Sequence, residues 1–155
     1  KEEEKKDACF GSEIKVTENV KLELFDSEGR RKDVREIHNT TTALGKELLA
    51  DQLLASPTVA KPGWMEVGTS TPTASLLGSY ISGSRTALSS KTRAGNVVTF
   101  VCFFAAGVGS GKITEAGLFN VATQNNPVMM LSASFASMTK GATDTLTITW
   151  TFTVN

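Results

Sequence analysis

The sequence has few of the residues from which catalytic and metal sites are built: its 155 residues include two cysteines, one histidine and one tyrosine. A structural zinc site needs several Cys or His ligands, and two cysteines are too few for a disulfide framework. Any serine triad would depend on His38 as its base, yet neither a nucleophile elbow nor an oxyanion loop accompanies it. We therefore predict that the chain is not an enzyme and has no catalytic, cofactor-binding or metal-ligating residues.

Long apolar segments and excess charge are also missing. The longest apolar run, residues 97–108, is well short of the roughly 20 residues of a membrane-spanning helix. Sixteen basic and sixteen acidic side chains cancel, so no net charge attracts nucleic acid or an anionic membrane. The sequence starts with Lys1 rather than methionine, so we expect it to begin inside a longer or processed chain, without a secretory leader.

The charges are concentrated in the first part of the chain. Residues 1–61 hold 24 of the 32 charged side chains and residues 62–155 only 8. The second part must owe its solubility to Ser, Thr and Asn, a composition that favours a protein working inside a large assembly. We predict a charged flexible leader or arm at residues 1–12 and a single domain at 13–155.

The clearest structural signal is the final segment, residues 145–154, where threonine and apolar residues alternate without a break. Alternate side chains of a strand point to opposite faces, so this pattern predicts a strand with one dry and one wet face. A hairpin is predicted earlier, from residues 16–25, a turn at 26–29 and residues 33–38. Further strands are predicted at residues 84–91, 96–105, 113–121 and 128–135.

One helix is predicted at residues 42–54, capped by Thr41 or Thr42 and stopped at Ser56 and Pro57. With about eight short strands and no alternating helices, the chain is expected to be mainly β. The predicted fold is an antiparallel, jelly-roll-like β-sandwich on which the amphipathic helix packs.

Several apparent motifs have simpler structural interpretations. Gly107 to Lys112 lacks the spacing and the following helix of a P-loop, so we interpret it as a flexible hairpin turn. Asn39-Thr40-Thr41 matches a glycosylation sequon but serves better as a helix start. The carboxylates that follow the first strand alternate with basic residues, as in a solvated hairpin tip; they are Asp26, Glu28, Asp33 and Glu36.

The run at residues 97–104 places apolar groups on both faces of its strand. Cys102 is predicted to be a small buried hydrophobe. Phe103 and Phe104 point in opposite directions, so one of them must be covered by something other than the core. Either the helix covers the second face or a neighbouring subunit does. Residues 129–131 pose the same choice.

Four blocks of sequence, at residues 39–42, 62–69, 113–120 and 140–150, resemble in this order a family of small structural proteins encoded by tailed bacteriophages. The similarity covers roughly residues 14–155. Within the blocks, Glu115 and Gly117 are consistent with a bulge or a close backbone approach, and residues 140–144 form a turn that starts the last strand.

The resemblance implies a non-enzymatic virion component on the outside of the particle, most specifically a capsid decoration or head-fibre protein. Its expected partners are the major capsid protein or another virion protein, and further copies of itself, with a trimer as the predicted state. Neither nucleic acid nor a membrane is an expected partner. The alternatives are a tail-fibre or collar appendage and a receptor- or glycan-binding module. A glycan site needs an exposed aromatic, for which Trp64 and Tyr80 are the candidates because alternation places Trp150 on the dry face.

Overall fold

The computed structural model describes residues 14–126 and 128–155, so the predicted leader at 1–12 lies outside the described residues. Its helix is α1 (Ala43–Asp51) and its strands are β1 (Val16–Phe25), β2 (Arg31–His38), β3 (Thr40–Thr41), β4 (Trp64–Gly68), β5 (Thr86–Ala87), β6 (Ser90–Ala94), β7 (Val97–Phe104), β8 (Gly111–Phe119), β9 (Met129–Lys140) and β10 (Thr145–Val154). Sheet I has the order β2-β1-β10-β7-β6 and sheet II the order β3-β9-β8-β4-β5. All observed pairings are antiparallel. The predicted class, a mainly β sandwich with one helix, is confirmed.

The strands differ from the prediction mainly in four places, one of which is the short β3, which was not predicted. Residues 84–91 divide between β5 and β6, and the strand predicted to end at residue 135 continues to Lys140. β4 was not predicted, because Glu66 interrupts its apolar pattern at a position that is nevertheless buried. The described residues therefore contain ten strands instead of about eight.

The core forms between the inner faces of the two sheets, and β10 is central to it. Leu146, Ile148, Trp150 and Phe152 are at most 7% exposed, while the threonines between them face outward. β10 pairs with β1 on one side and β7 on the other. The alternation of this strand thus sets the orientation of both neighbours, because paired residues share a face.

β7 contributes Phe100, Cys102 and Phe104 to the core, and burial raises the pKa of the Cys102 thiol to about 12. Its other face is open: Phe103 is 47% exposed. The helix does not cover that face, because α1 packs on β9 of the opposite sheet. The first of the two alternatives for β7 is therefore wrong. The residues at 129–131 are, by contrast, all buried within the chain.

The helix begins where predicted. Thr42 is the N-cap, its hydroxyl accepting from the Gly45 amide at 3.1 Å and donating to the Met130 carbonyl at 2.7 Å. It ends at Asp51, three residues before the predicted end, because the Asp51 carboxylate accepts the backbone amides of Thr58 and Val59 and turns the chain away. These hydrogen bonds lower the pKa of Asp51.

Two predicted turns have different outcomes. The segment from Gly107 to Lys112 is not a hairpin turn, since it carries the chain from β7 in sheet I to β8 in sheet II. Gly107 and Gly109 have φ angles of 80° and 63°, so glycine is needed there. The turn before β10 is confirmed. The Asp144 carboxylate accepts a hydrogen bond from the Gly141 amide at 2.8 Å and forms an ion pair with Lys32 at 2.7 Å. Both lower the pKa of Asp144.

One expectation for the blocks is wrong: Thr40 and Thr41, expected to serve the helix start, form β3 and pair with β9. Those for β8 and the first hairpin hold. The β8–β9 register shifts between Ile113 and Glu115, as a bulge requires. A side chain at Gly117 would meet the Met129 sulfur at 2.7 Å, so the backbone approach is close. Asp26 organises the first hairpin turn by accepting the amides of Glu28 and Arg30.

We predict that Gly45→Ala destabilises the protein, although alanine favours helix by up to about 1 kcal/mol. A Cβ at Gly45 would overlap the Met130 carbonyl oxygen, so α1 would have to move away from β9, at a cost of about 1–3 kcal/mol. Urea unfolding measures the change. Gly63→Ala is the control, since its Cβ would meet nothing within 4 Å. Equal stability of the two variants would contradict the close packing of α1 on β9.

Candidate binding surfaces

The outer face of sheet I is divided into an uncharged and a charged half. The uncharged half, called here the threonine–valine face, comes from β10, β7 and β6, whose registers place their outward residues side by side. Its members are Thr145, Thr147, Thr149, Thr151, Thr153, Val97, Thr99, Val101, Phe103, Ser90, Thr92 and Ala94. Phe103 is the large exposed apolar side chain of this face.

The charged half comes from β1 and β2. Glu23 pairs with Lys21 at 3.1 Å and with Arg31 at 3.4 Å, and Asn19 donates to Glu36 at 3.2 Å. Exposed ion pairs of this kind stabilise little, commonly less than about 1 kcal/mol. They do keep the surface hydrated, so the boundary between β1 and β10 separates a charged half from an uncharged half.

The free edge of sheet I next to this face is protected. β6 turns Lys91 and Arg93 toward the inner side, because they pair with Phe100 and Val98 of β7. The Lys91 ammonium donates to the Pro62 carbonyl at 3.1 Å. Inward-pointing charges on an edge strand discourage another strand from adding there. The face of the sheet, and not its edge, is therefore the surface open to a partner.

Over β8 and β4, the outer face of sheet II is covered by the chain itself, through the loops at residues 69–85 and 120–126, whereas Ser134 and Ala136 of β9 remain exposed. Glu115 is fully buried and accepts three backbone amides, from Ser70 at 3.1 Å, Gly78 at 2.8 Å and Ser79 at 2.8 Å. Gly68 lies against this carboxylate and has no room for a side chain. Glu115 thus fixes the first loop to β8.

A buried ion pair holds the end of the same loop. Arg85 and Glu66 are 3.0 Å apart, with side chains 2% and 1% exposed, and the guanidinium lies 3.5 Å from the centre of the Phe119 ring. Arg85 also donates to the Val121 carbonyl at 2.8 Å. Gln124 donates to Glu66 and accepts the Gly83 amide. Both loops are therefore joined through one buried network.

A groove of about 600 Å³ opens between these two loops. Tyr80 lies in it at 39% exposure, with Ser79 and Asn125 beside it. Trp64, the other candidate aromatic, is partly buried against the cluster of Leu77, Phe119 and Met129. Trp150 is fully buried, as predicted.

Two further hollows lie near α1. An apolar cleft of about 120 Å³ is lined only by apolar residues, among them Leu48, Leu49 and Phe152. The second hollow contains Glu18, which is 4% exposed, accepts from Asn39 at 2.7 Å and from Thr41, and has Lys46 on the same wall. Burial raises the pKa of Glu18 above its ordinary value of 4.5, and the hydrogen bonds oppose this only in part.

Catalytic and metal chemistry were not predicted. Within residues 14–126 and 128–155 no group of three or more His, Cys, Asp or Glu side chains is placed to hold a metal, and no helix is long and apolar enough to cross a membrane. His38 lies in a shallow groove with Ser132 and Ser134. Comparison with protein-family models, with curated proteins and with solved structures finds no significant match.

The buried tethers Glu66, Arg85 and Glu115 were missed by the sequence reasoning. One signal pointed to them: residues 62–155 contain only eight charged residues, and isolated charges next to apolar strand residues are costly unless they are paired. No pattern, however, identified their partners, which are backbone amides and side chains far along the chain.

We predict that Glu18→Gln changes how stability depends on pH. The native state holds the Glu18 proton more tightly than the unfolded chain, so this contribution is fully present below pH 4.5 and is lost as pH rises through the raised pKa. The variant lacks that loss, so its stability relative to the natural chain should rise as the pH increases from below 4.5 to above it. The buried Asn39 amide oxygen has no partner among the described residues and can accept from the new amide after a flip.

Urea unfolding at a series of pH values measures this difference. The control is Glu28→Gln, whose side chain is 67% exposed in the first hairpin turn. A difference in the free energy of unfolding between Glu18→Gln and the natural chain that stays constant across this pH range would contradict the burial argument.

We predict that Glu115→Gln loosens the first loop without unfolding the sandwich. The amide nitrogen of the new glutamine replaces an oxygen that accepted a backbone N–H group. That N–H group is left without an acceptor, which destabilises the loop by about 1–3 kcal/mol. Amide hydrogen exchange at Ser70, Gly78 and Ser79 should become much faster, while exchange in β10 changes little. Uniformly unchanged exchange in the loop would show that Glu115 is not its tether.

Proposed function

We propose that the protein is a non-enzymatic structural component of a tailed-bacteriophage virion, a capsid decoration protein that binds the outside of the particle as an oligomer. The observation that carries this proposal is the threonine–valine face: it is open and uncharged, in a sandwich whose opposite outer face is covered over β8 and β4 by its own loops. Charged residues are depleted in the cores of protein interfaces, so a face without charge suits contact with another protein surface.

The size of the face favours many weak contacts. Three strands about 4.8 Å apart and eight residues of about 3.3 Å each cover roughly 400 Å². A standard stable interface needs about 800 Å² from each partner. One such contact is therefore weak, and several copies must bind together for tight attachment, as multivalent binding allows. We propose a trimer as the unit and the major capsid protein, or another virion protein, as the partner.

The virion assignment is supported by the four-block resemblance. In this fold the blocks become the cap of α1, strand β4, strand β8, and the turn leading into β10. These are positions that build the sandwich. We therefore propose that the threonine–valine face binds the partner and that the four blocks stabilise the fold.

We expect Phe103→Asp to abolish association while leaving the chain folded. Phe103 contributes its side chain to the open face, where an aspartate stays hydrated in the free chain. In a complex the aspartate would be buried and lose its water, which is costly. Phe104→Asp should instead prevent folding, because Phe104 is completely buried. Val34→Asp is the matched control: Val34 is 39% exposed in the same cross-strand row, on the charged half.

Light scattering after size-exclusion chromatography, with and without phage shells assembled in the absence of this protein, measures both kinds of association. The natural chain and Val34→Asp should form oligomers and co-migrate with shells, and Phe103→Asp should do neither. Equal binding by Phe103→Asp would exclude this face. A stable oligomer that ignores shells would overturn the decoration role and favour a collar or tail appendage.

A further inference from the structure

The groove beside Tyr80 has the size and lining of a ligand site. Its volume of about 600 Å³ falls within the range of about 300–1,000 Å³ typical of small-molecule sites. Its lining includes Ser79, Tyr80 and Asn125 together with the apolar Leu76 and Leu77, while the Thr73 hydroxyl is bonded to the Leu76 backbone. An exposed aromatic ring is thus surrounded by neutral hydrogen-bonding groups.

The backbone that carries Tyr80 is held like a strand although it lies in a loop. Tyr80 forms an isolated antiparallel bridge with Gly68. On either side, the Thr69 amide donates to the Ser79 carbonyl at 2.8 Å and the Ile81 amide to the Val67 carbonyl at 2.9 Å. The ring is therefore presented to solvent from a fixed position.

The opposite wall is also fixed, and its backbone is strained. Asn125 has a φ of 59° and is the non-glycine residue with positive φ among the described residues. Such conformations persist where the surroundings enforce them, and they concentrate at functional sites. The preceding residue, Gln124, is anchored to Glu66 and to the Ile81 carbonyl at 3.1 Å.

Each of the two walls is therefore held by its own buried carboxylate of sheet II. Glu115 holds Gly78 and Ser79, and Glu66 holds Gln124. A surface built this way loses little conformational freedom when a ligand binds, which favours affinity even for a small ligand. The loops that cover sheet II thus also form a rigid groove.

The lining also indicates the class of ligand. Among the residues that the structure describes, no charged side chain lines the groove, so an ionic ligand would find no counter-charge from them there. The C–H face of a pyranose ring packs well on a tyrosine ring, and amide and hydroxyl groups match sugar hydroxyls. We propose that the Tyr80–Asn125 groove binds a neutral pyranose unit of a glycan. This site goes beyond the proposed function and is independent of it, since it lies on the opposite face from Phe103.

The test is a titration of the ¹⁵N-labelled protein, followed by NMR, with glucose, galactose, mannose, rhamnose, N-acetylglucosamine and N-acetylgalactosamine, and with the acidic sugar N-acetylneuraminic acid. Each is added to about 50 mM, which detects millimolar dissociation constants. We expect at least one neutral sugar to shift the amides of Ser79, Tyr80 and Asn125. Shifts by no sugar, or only by the acidic one, would overturn the proposal.

Variants distinguish this site from the other face. Tyr80→Ala and Asn125→Gly should each weaken sugar binding at least about tenfold, equivalent to about 1.4 kcal/mol. Asn125→Gly removes the amide but suits the positive φ, so folding is preserved. Phe103→Ala, which removes an exposed aromatic of the opposite face, should bind sugar normally. Sugar binding unaffected by both groove variants would refute the assignment, whatever the outcome with phage shells.

Discussion

The pairing of β10 between β1 and β7 is the constraint from which the rest of the molecule follows. This strand fills the centre of sheet I, and its alternation sends Trp150 and its apolar neighbours inward while the threonines face out. Each large apolar side chain buried in this way contributes about 1.5–3 kcal/mol, so a one-residue slip of β10 would exchange the whole inner face for threonine. The outward threonine ladder is thus a direct consequence of the core.

The two outer faces of the sandwich are treated differently, and this asymmetry underlies both proposals. On sheet I the uncharged outer strands remain open, which leaves a surface that a second protein can cover. On sheet II the chain covers itself with loops tied to Glu66 and Glu115. Burying these carboxylates is costly, but Arg85 and the backbone amides supply the donors that offset the loss of water. The same ties make the loop surface rigid enough to present a shaped groove.

Charge in the second part of the chain has a structural role more than a solubilising one. Of the eight charged residues at 62–155, Glu66, Glu115, Lys140 and Asp144 are buried and the Arg85 side chain is 2% exposed. Burial lowers the pKa of Lys140, whose ammonium donates to the Ala105 carbonyl at 3.0 Å, and Asp144 opposes that shift. Exposed threonine and serine then provide the polar surface, which is consistent with a protein that contacts neighbours over a broad area.

Local pattern was enough to predict much of this fold, because period-two alternation and capping act between residues close in sequence. The closing strand, the first hairpin, the start of α1 at Thr42, the burial of Cys102 and Trp150, and the sandwich class could all be predicted this way. Strand β4 could not be predicted, because Glu66 interrupts its apolar pattern. The destination of the segment after β7 could not be predicted either, because a glycine-rich turn looks the same whether the chain stays in its sheet or crosses to the other. Tertiary structure alone decided which face of β7 stays open and that Tyr80 and Asn125 line one groove. The first depends on α1 packing against β9, and the second on Glu66 and Glu115, whose partners lie far along the chain where no local pattern reveals them.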